Sequence, residues 1–290
     1  MNNLIEESNR CLNCKVKPCQ KACPLGNDIP SFIKCVKENN LKEAFNILTK
    51  TTVLGAICGR ICPHFKQCKG SCVRGIKTEP ISIGELEAYV FDNAFKEDYK
   101  IKTTKELEGK KVAVIGGGPS GLTCAAFLKM YGADVTIYEK QPKLGGITRY
   151  GIPDFRLSRE IIDKNIEKIL NLGIKAECNK SFGKDYNLED LEKEYDAIYL
   201  SFGANVSSKM NIPGENLQGI YGGNELLETN MHPDYTGKNV AVSGGGNVAM
   251  DTARTIKRLG AKNVYVIYNK KYRIEFCKNN SFYSLSLTIQ

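Results

Sequence analysis

The chain has 290 residues, 42% of them hydrophobic and 25% charged, with a formal net charge of +9. That balance excludes a collagen-like or disordered polymer and leaves room for two or three domains with cores of their own. No stretch of about 18 apolar residues occurs, and Met1 to Ser8 lacks a basic region followed by an apolar one, so the chain reads as cytoplasmic, without membrane association. The basic excess includes +3 from residues 269–290, and no basic stripe interleaved with aromatics points to nucleic acid.

Nine of the twelve cysteines lie between Cys11 and Cys72, eight of them in two ordered groups. The first is Cys11-x2-Cys14-x4-Cys19-x3-Cys23-Pro24; the second is Cys58-x3-Cys62-Pro63, followed by Cys68-x3-Cys72. In a reducing compartment such density signals a metal or a cluster rather than disulfides. A cubane takes four soft ligands, and a close run of cysteines closed by a distant one suits two 4Fe-4S clusters, the last cysteine of a run serving the other cluster. Zinc competes through the Cys11-x2-Cys14 spacing, although zinc sites seldom use a four-cysteine run. Between the groups, Ile29-Phe32-Ile33-Val36 and Leu41-Ala44-Phe45-Leu48 are spaced as short helices, which makes residues 1–105 an α-helical module organised by its ligands. His64, beside Pro63, reads as a solvated loop side chain. Cys35, Cys124 and Cys178 lie in apolar contexts and read as small buried residues, Cys277 as a free thiol.

A lysine-rich link, 100–110, leads into the apolar run Val112-Ala113-Val114-Ile115, and from there strands alternate with helices. Strands are expected over 112–116, 134–138, 174–178 and 196–202, and helices over 119–131, 158–172 and 187–194. This is α/β alternation, a parallel sheet covered by helices. The first strand runs into Gly116-Gly117-Gly118-Pro119-Ser120-Gly121, a dinucleotide fingerprint in which the glycines allow a tight turn, close approach to a pyrophosphate and helix–strand packing. Glu139, at the end of the second strand and next to Lys140, stands where a carboxylate accepts the ribose hydroxyls. The fingerprint recurs as Gly244-Gly245-Gly246-Asn247-Val248-Ala249, with Val240 in the place of Val112. Its second strand ends at Tyr268 with Asn269, Lys270 and Lys271 following and no acid, which favours the 2′-phosphate of NADP over the free hydroxyl of NAD. The segment from Asn269 to Gln290 provides one alternating strand at most, short of a doubly wound sheet, so the second nucleotide domain, 237–290, reads as incomplete and the chain as a truncated or frameshifted product with an open sheet edge.

Cys-Leu-Asn-Cys (11–14), Lys-Ala-Cys-Pro-Leu (21–25), Cys-Gly-Arg-Ile-Cys-Pro (58–63) and Ile-Ser-Ile-Gly-Glu-Leu-Glu (81–87) together resemble the cluster domain of the glutamate synthase small-subunit family. That family is related to the N-terminal part of dihydropyrimidine dehydrogenase and to NADH-dependent ferredoxin:NADP oxidoreductase. The resemblance implies that Cys11, Cys14, Cys19 and Cys72 hold one cluster, and Cys23, Cys62 and Cys68 the other with the Glu87 side chain; spacing alone nominates Cys58 in place of Glu87. Residues 144–157, including Gly145, Gly146, Arg149 and Arg156, resemble the segment lining the flavin, and Ser201-Phe202-Gly203-Ala204 a second FAD motif. Gly145-Gly146 is equally readable as a plain turn. By resemblance, residues 106–236 bind FAD, and a complete relative passes electrons from NADPH through FAD and the clusters to a partner, such as a glutamate synthase large subunit. The alternatives are a non-catalytic iron–sulfur module and the electron-input part of another reductase.

Overall fold

The structure, a computed structural model, describes residues 2–268, 273–278 and 281–286. It divides into two compact units, one of residues 1–146 and 156–202, the other of residues 147–155 and 203–290.

The first unit begins with the helices α1 (Asn2–Asn9), α2 (Pro18–Lys21), α3 (Ile29–Lys37), α4 (Leu41–Leu48), α5 (Gly55–Ile61) and α6 (Ile83–Lys96), with 3-10 turns at His64–Lys66 and Val73–Ile76. The apolar spacings expected to be helical are α3 and α4, and they bury Phe32, Ile33, Val36, Ala44, Phe45 and Leu48. Asn40 starts α4 by accepting the Glu43 N–H at 3.1 Å, which satisfies one of the donors a helix start leaves unpaired. Phe45 meets Phe91 of α6 edge to face, with ring centroids 5.2 Å apart. Helices α5 and α6 touch backbone to backbone, because a Cβ added at Gly59 would stand 2.6 Å from the Gly84 carbonyl oxygen and 2.7 Å from the Ala88 nitrogen.

The same unit continues with β1 (Lys111–Ile115), α7 (Pro119–Met130) and β2 (Asp134–Glu139); α8 (Ile147–Tyr150) belongs to the second unit; then come α9 (Arg159–Leu170), β3 (Lys175–Cys178), α10 (Leu188–Glu192) and β4 (Ala197–Leu200). The four strands form a parallel sheet in the order β3-β2-β1-β4. With β1 flanked by β2 and β4, the crevice beyond the carboxyl ends of the strands opens at Gly116, where such sheets bind ligands. Two side chains of α9 reach the helical module: Asn165 donates to the Val53 carbonyl at 2.7 Å, and Lys168 to Asp98 at 2.8 Å.

The second unit contains α11 (Gly223–Thr229), β5 (Asn239–Ser243), α12 (Asn247–Arg258), β6 (Asn263–Tyr268), β7 (Arg273–Lys278) and β8 (Ser281–Ser286). Its sheet has the order β5-β6-β7-β8, with β5 and β6 parallel and the remaining pairs antiparallel. The tail therefore supplies two strands rather than the one expected, and β7 lies beside β6 where β3 lies beside β2, but in the opposite direction. A tight antiparallel return needs only a short turn, whereas a parallel neighbour needs a long crossover. The edge of β6 that was expected to be open is thus paired. No helix among the described residues is long and apolar enough to cross a membrane.

Phe45 is fully buried. Phe45→Ala is expected to cost about 3–5 kcal/mol, read as a lowered thermal unfolding midpoint of the helical module by circular dichroism.

Candidate functional site

The cysteine loops sort into two neighbourhoods. Burial is the main cause that raises the Cys11 thiol, with the charges of Cys72 and Cys14 adding to it. Cys19 is pushed up to about 11 by burial, Cys11 and Cys72 contributing. In the second neighbourhood Cys58 is pushed up to about 12 by burial, then by Glu87, Cys62 and Cys23. Cys68 reaches about 12 through burial, Cys23, Glu87 and Cys62, and Cys62 is raised by burial, Glu87 and Cys23. The side chains brought together are thus Cys11, Cys14, Cys19 and Cys72 on one side, and Cys23, Cys62, Cys68, Glu87 and Cys58 on the other.

Glu87 is only 5% exposed, and burial lifts its carboxyl to about 8. Its hydrogen-bond partner is the Asn27 amide, at a long 3.5 Å. Asn27 in turn is hydrogen-bonded to the Thr51 hydroxyl through Oδ1. No spacing in the sequence singles out Asn27 or Thr51; the one available signal is that Asn27 closely follows Cys23. Buried donors that repel one another as anions suit a cationic group shared among them. Among the described residues, no three His, Cys, Asp or Glu side chains stand close enough to hold one metal ion. In a cubane, by contrast, each thiolate takes its own iron. The donor set fits iron–sulfur ligation better than the zinc knuckle.

Two further expectations change. Cys35, Cys124 and Cys178 are partly exposed rather than buried, Cys178 because it ends β3, the edge strand of its sheet. His64 is half-buried rather than solvated: burial lowers its pKa, and its ring lies where a Cβ on Gly84 would be 2.4 Å away. Beside it opens a cavity of about 870 Å³ lined by Cys62, His64, Phe65, Lys69, Tyr89 and Arg156 among others.

In the first fingerprint Gly116 and Gly121 have a spatial reason. Gly116 has φ +103°, and a Cβ there would stand 2.2 Å from the Ser201 carbonyl oxygen. At Gly121 it would lie 1.9 Å from the Gly116 oxygen, which is the helix–strand contact this position allows. Gly118 precedes α7, Pro119 opens that helix, and Ser120 is exposed, its hydroxyl 2.9 Å from that of Tyr199. The helix N-terminus therefore meets the crevice with its N–H groups free of a capping side chain. Glu139 is buried, and its two carboxylate oxygens accept the Gly117 N–H at 2.7 Å and the Gln141 N–H at 2.8 Å. A carboxylate has about four lone-pair sites, so both oxygens keep capacity for ribose hydroxyls. Lys140, beside it, is exposed.

Gly145 and Gly146 sit over this loop: Gly145 donates to the Gly117 carbonyl at 2.8 Å, and a Cβ on Gly146 would be 2.6 Å from the Gly118 Cα. They pack directly against the fingerprint loop. Ser201, at the end of β4, donates to the carbonyls of Ile115 and Gly116 at 2.8 and 2.9 Å, which ties its motif to the fingerprint. Arg149 is buried on α8 in the second unit.

The second fingerprint repeats the geometry. Gly244 has φ +122°, Gly246 has open space where a Cβ would be, and Asn247 starts α12, with Val248 exposed and Ala249 buried. Val240 pairs with Val264 as Val112 pairs with Val135, which sets Tyr268 in the place of Glu139. Lys270 and Lys271 lie outside the described residues, as does the side chain of Cys277.

Residues 110–278 match the family described as pyridine nucleotide-disulphide oxidoreductase, and residues 1–99 the 4Fe-4S domain II of dihydropyrimidine dehydrogenase. The chain belongs to the pyridine nucleotide-disulphide oxidoreductase family. It is 35% identical over 279 residues to the NADPH glutamate synthase small chain of Escherichia coli (strain K12), covering 91% of this chain and 59% of that one. It is also 35% identical over 263 residues to the NAD-dependent dihydropyrimidine dehydrogenase subunit PreT of Salmonella typhimurium (strain LT2), covering 90% of this chain and 63% of that one. The chain therefore spans about three-fifths of the length of these curated relatives. Among solved structures, histamine dehydrogenase from Rhizobium sp. 4-9 shares the fold, with a TM-score of 0.50, 13% identity, and coverage of 91% of this chain and 45% of that chain. The resemblance to glutamate synthase small subunits is borne out by these matches. The cofactor classes read from the sequence, iron–sulfur, flavin and NADP(H), agree with them.

Glu139→Gln keeps the shape but removes the charge that strengthens hydrogen bonds to the ribose. The expected result is flavin retention weakened roughly tenfold to a hundredfold, in line with about 1.5–3 kcal/mol for a charge-assisted hydrogen bond, measured as the FAD-to-protein ratio across a dilution series.

Proposed function

We propose that this chain takes electrons from NADPH through FAD to two 4Fe-4S clusters and delivers them to a partner subunit of the glutamate synthase large-subunit kind. The observation that carries the reading is the placement, within one compact unit, of two groups of mutually repelling thiols and a glycine loop backed by a buried ribose-type carboxylate. When bound, the flavin supplies the conversion of a two-electron hydride into single electrons.

The protein's share is holding and orienting. Gly116, Gly118 and Gly121 open room for a pyrophosphate at the N-terminus of α7, and Glu139 holds the ribose. Gly145 and Gly146 close that loop from above. Gly244, Gly246 and Ala249 offer the equivalent seat for the nicotinamide nucleotide at the start of α12. Tyr268 stands where an acid would repel a 2′-phosphate, a substitution that supports NADPH over NADH. Cys11, Cys14, Cys19 and Cys72 ligate one cluster; Cys23, Cys62, Cys68 and Glu87 ligate the other. With no base or nucleophile required at the reacting atoms, the two histidines have no part in the chemistry.

Anaerobic titration of the purified protein with NADPH tests this. Bleaching of the flavin bands together with loss of the broad iron–sulfur absorbance is the expected result. A brown protein that holds no flavin and ignores NADPH overturns the reductase reading and leaves a cluster module alone.

A further inference from the structure

We propose that Cys58 and Glu87 are alternative ligands for the same iron of the second cluster, so that this cluster can exchange a carboxylate for a thiolate while staying in place. The inference rests on the reading of the second cysteine group as a cluster site.

Cys23, Cys62 and Cys68 supply three donors, and a cubane takes four. Two side chains compete for the last position, one on each of the two helices that pack most closely. Gly59 presses on the Gly84 carbonyl and the Ala88 nitrogen. Cys58 immediately precedes Gly59 and Glu87 immediately precedes Ala88, so both leave the backbone at the closest approach of α5 and α6. Their surroundings are shared. Cys58 faces Glu87, Cys62 and Cys23, and Cys68 faces Cys23, Glu87 and Cys62. Neither is committed to a strong partner elsewhere: Cys58 has the Thr52 hydroxyl, and Glu87 has the Asn27 amide at 3.5 Å.

The exchange balances without an outside reagent. An iron–oxygen bond to Glu87 breaks, an iron–sulfur bond to Cys58 forms, and the thiol proton passes to the released carboxylate, with the oxidation state of the iron unchanged. Ligand identity around a cluster sets its reduction potential, so the two forms differ in potential.

The test compares wild type, Cys58→Ala, Glu87→Ala and the double variant, each purified anaerobically. The readings are iron and acid-labile sulfide per chain, and the electron paramagnetic resonance spectrum after dithionite reduction; none of these depends on NADPH or flavin. Glu87→Ala is expected to keep its iron with a shifted signal for one cluster, because Cys58 takes the vacated position. Cys58→Ala is expected to show the carboxylate-ligated signal alone. The double variant is expected to lose about half of the iron of a two-cluster protein, while the signal from Cys11, Cys14, Cys19 and Cys72 persists and reports a folded module. Glu87→Leu, alone and with Cys58→Ala, repeats the comparison without a cavity. If the Glu87 variants lose the cluster as fully as the doubles do, or the doubles keep as much iron as the singles, the exchange is overturned. A wild-type protein holding only one cluster refutes the reading of the second group itself, and the exchange with it.

Discussion

Desolvation of acidic donors is the constraint on which the N-terminal half depends. Thiols and a carboxylate are drawn out of water and set beside one another by α5, α6 and the cysteine loops; burial raises the proton affinity of each, and Glu87 and the neighbouring cysteines add to it at Cys58 and Cys68. Without a cation these groups are held protonated, and a positive group inverts that preference. The free energy of binding iron is therefore also folding free energy for the loops that carry the ligands. What makes the arrangement possible is modest: Gly59 and Gly84 let two helix backbones meet, and the donors converge as a result.

The α/β part uses glycine for the opposite purpose, to keep side chains out of a space a nucleotide needs. The two fingerprints are built alike but are finished differently. In the first, Glu139 is buried, tied to Gly117 and Gln141, and backed by Gly145 and Gly146. In the second, the equivalent strand position is Tyr268, and the loop from Gly245 to Val248 is exposed. The first loop is thus walled on one side by buried groups, while the second lies open to solvent.

Much of this was legible in the sequence because the strongest signals are local. Val112 to Ile115 reads as a buried strand because β-branched residues run straight into glycines, and the strand is found at Lys111–Ile115. The helix expected at 119–131 is Pro119–Met130, started by the proline the pattern offered. The spacings around Phe32 and Phe45 mark α3 and α4 because their apolar residues fall on one face. Local spacing was silent on contacts through space. It named Cys58 as a ligand and passed over Asn27, since the approach of α5 to α6 is written in two glycines far apart in the chain. The tail misled for a related reason: the alternation of Arg273 to Phe276 covers only four residues, too few to mark a strand by local pattern alone, yet Arg273–Lys278 pairs on both sides.

Asn165 and Lys168 carry a practical consequence for anyone dissecting the molecule. A gene cut in the lysine-rich link would appear to release a self-sufficient iron–sulfur module, but the excised piece would take with it a Val53 carbonyl robbed of its buried donor and an Asp98 that has lost the Lys168 ammonium. A buried acceptor left unsatisfied costs about 1–3 kcal/mol, which is a large share of the stability of a small domain. The helices around the cysteines and the flavin-type sheet are thus heritable as one piece: shuffling the cluster module onto another reductase means moving α9 with it.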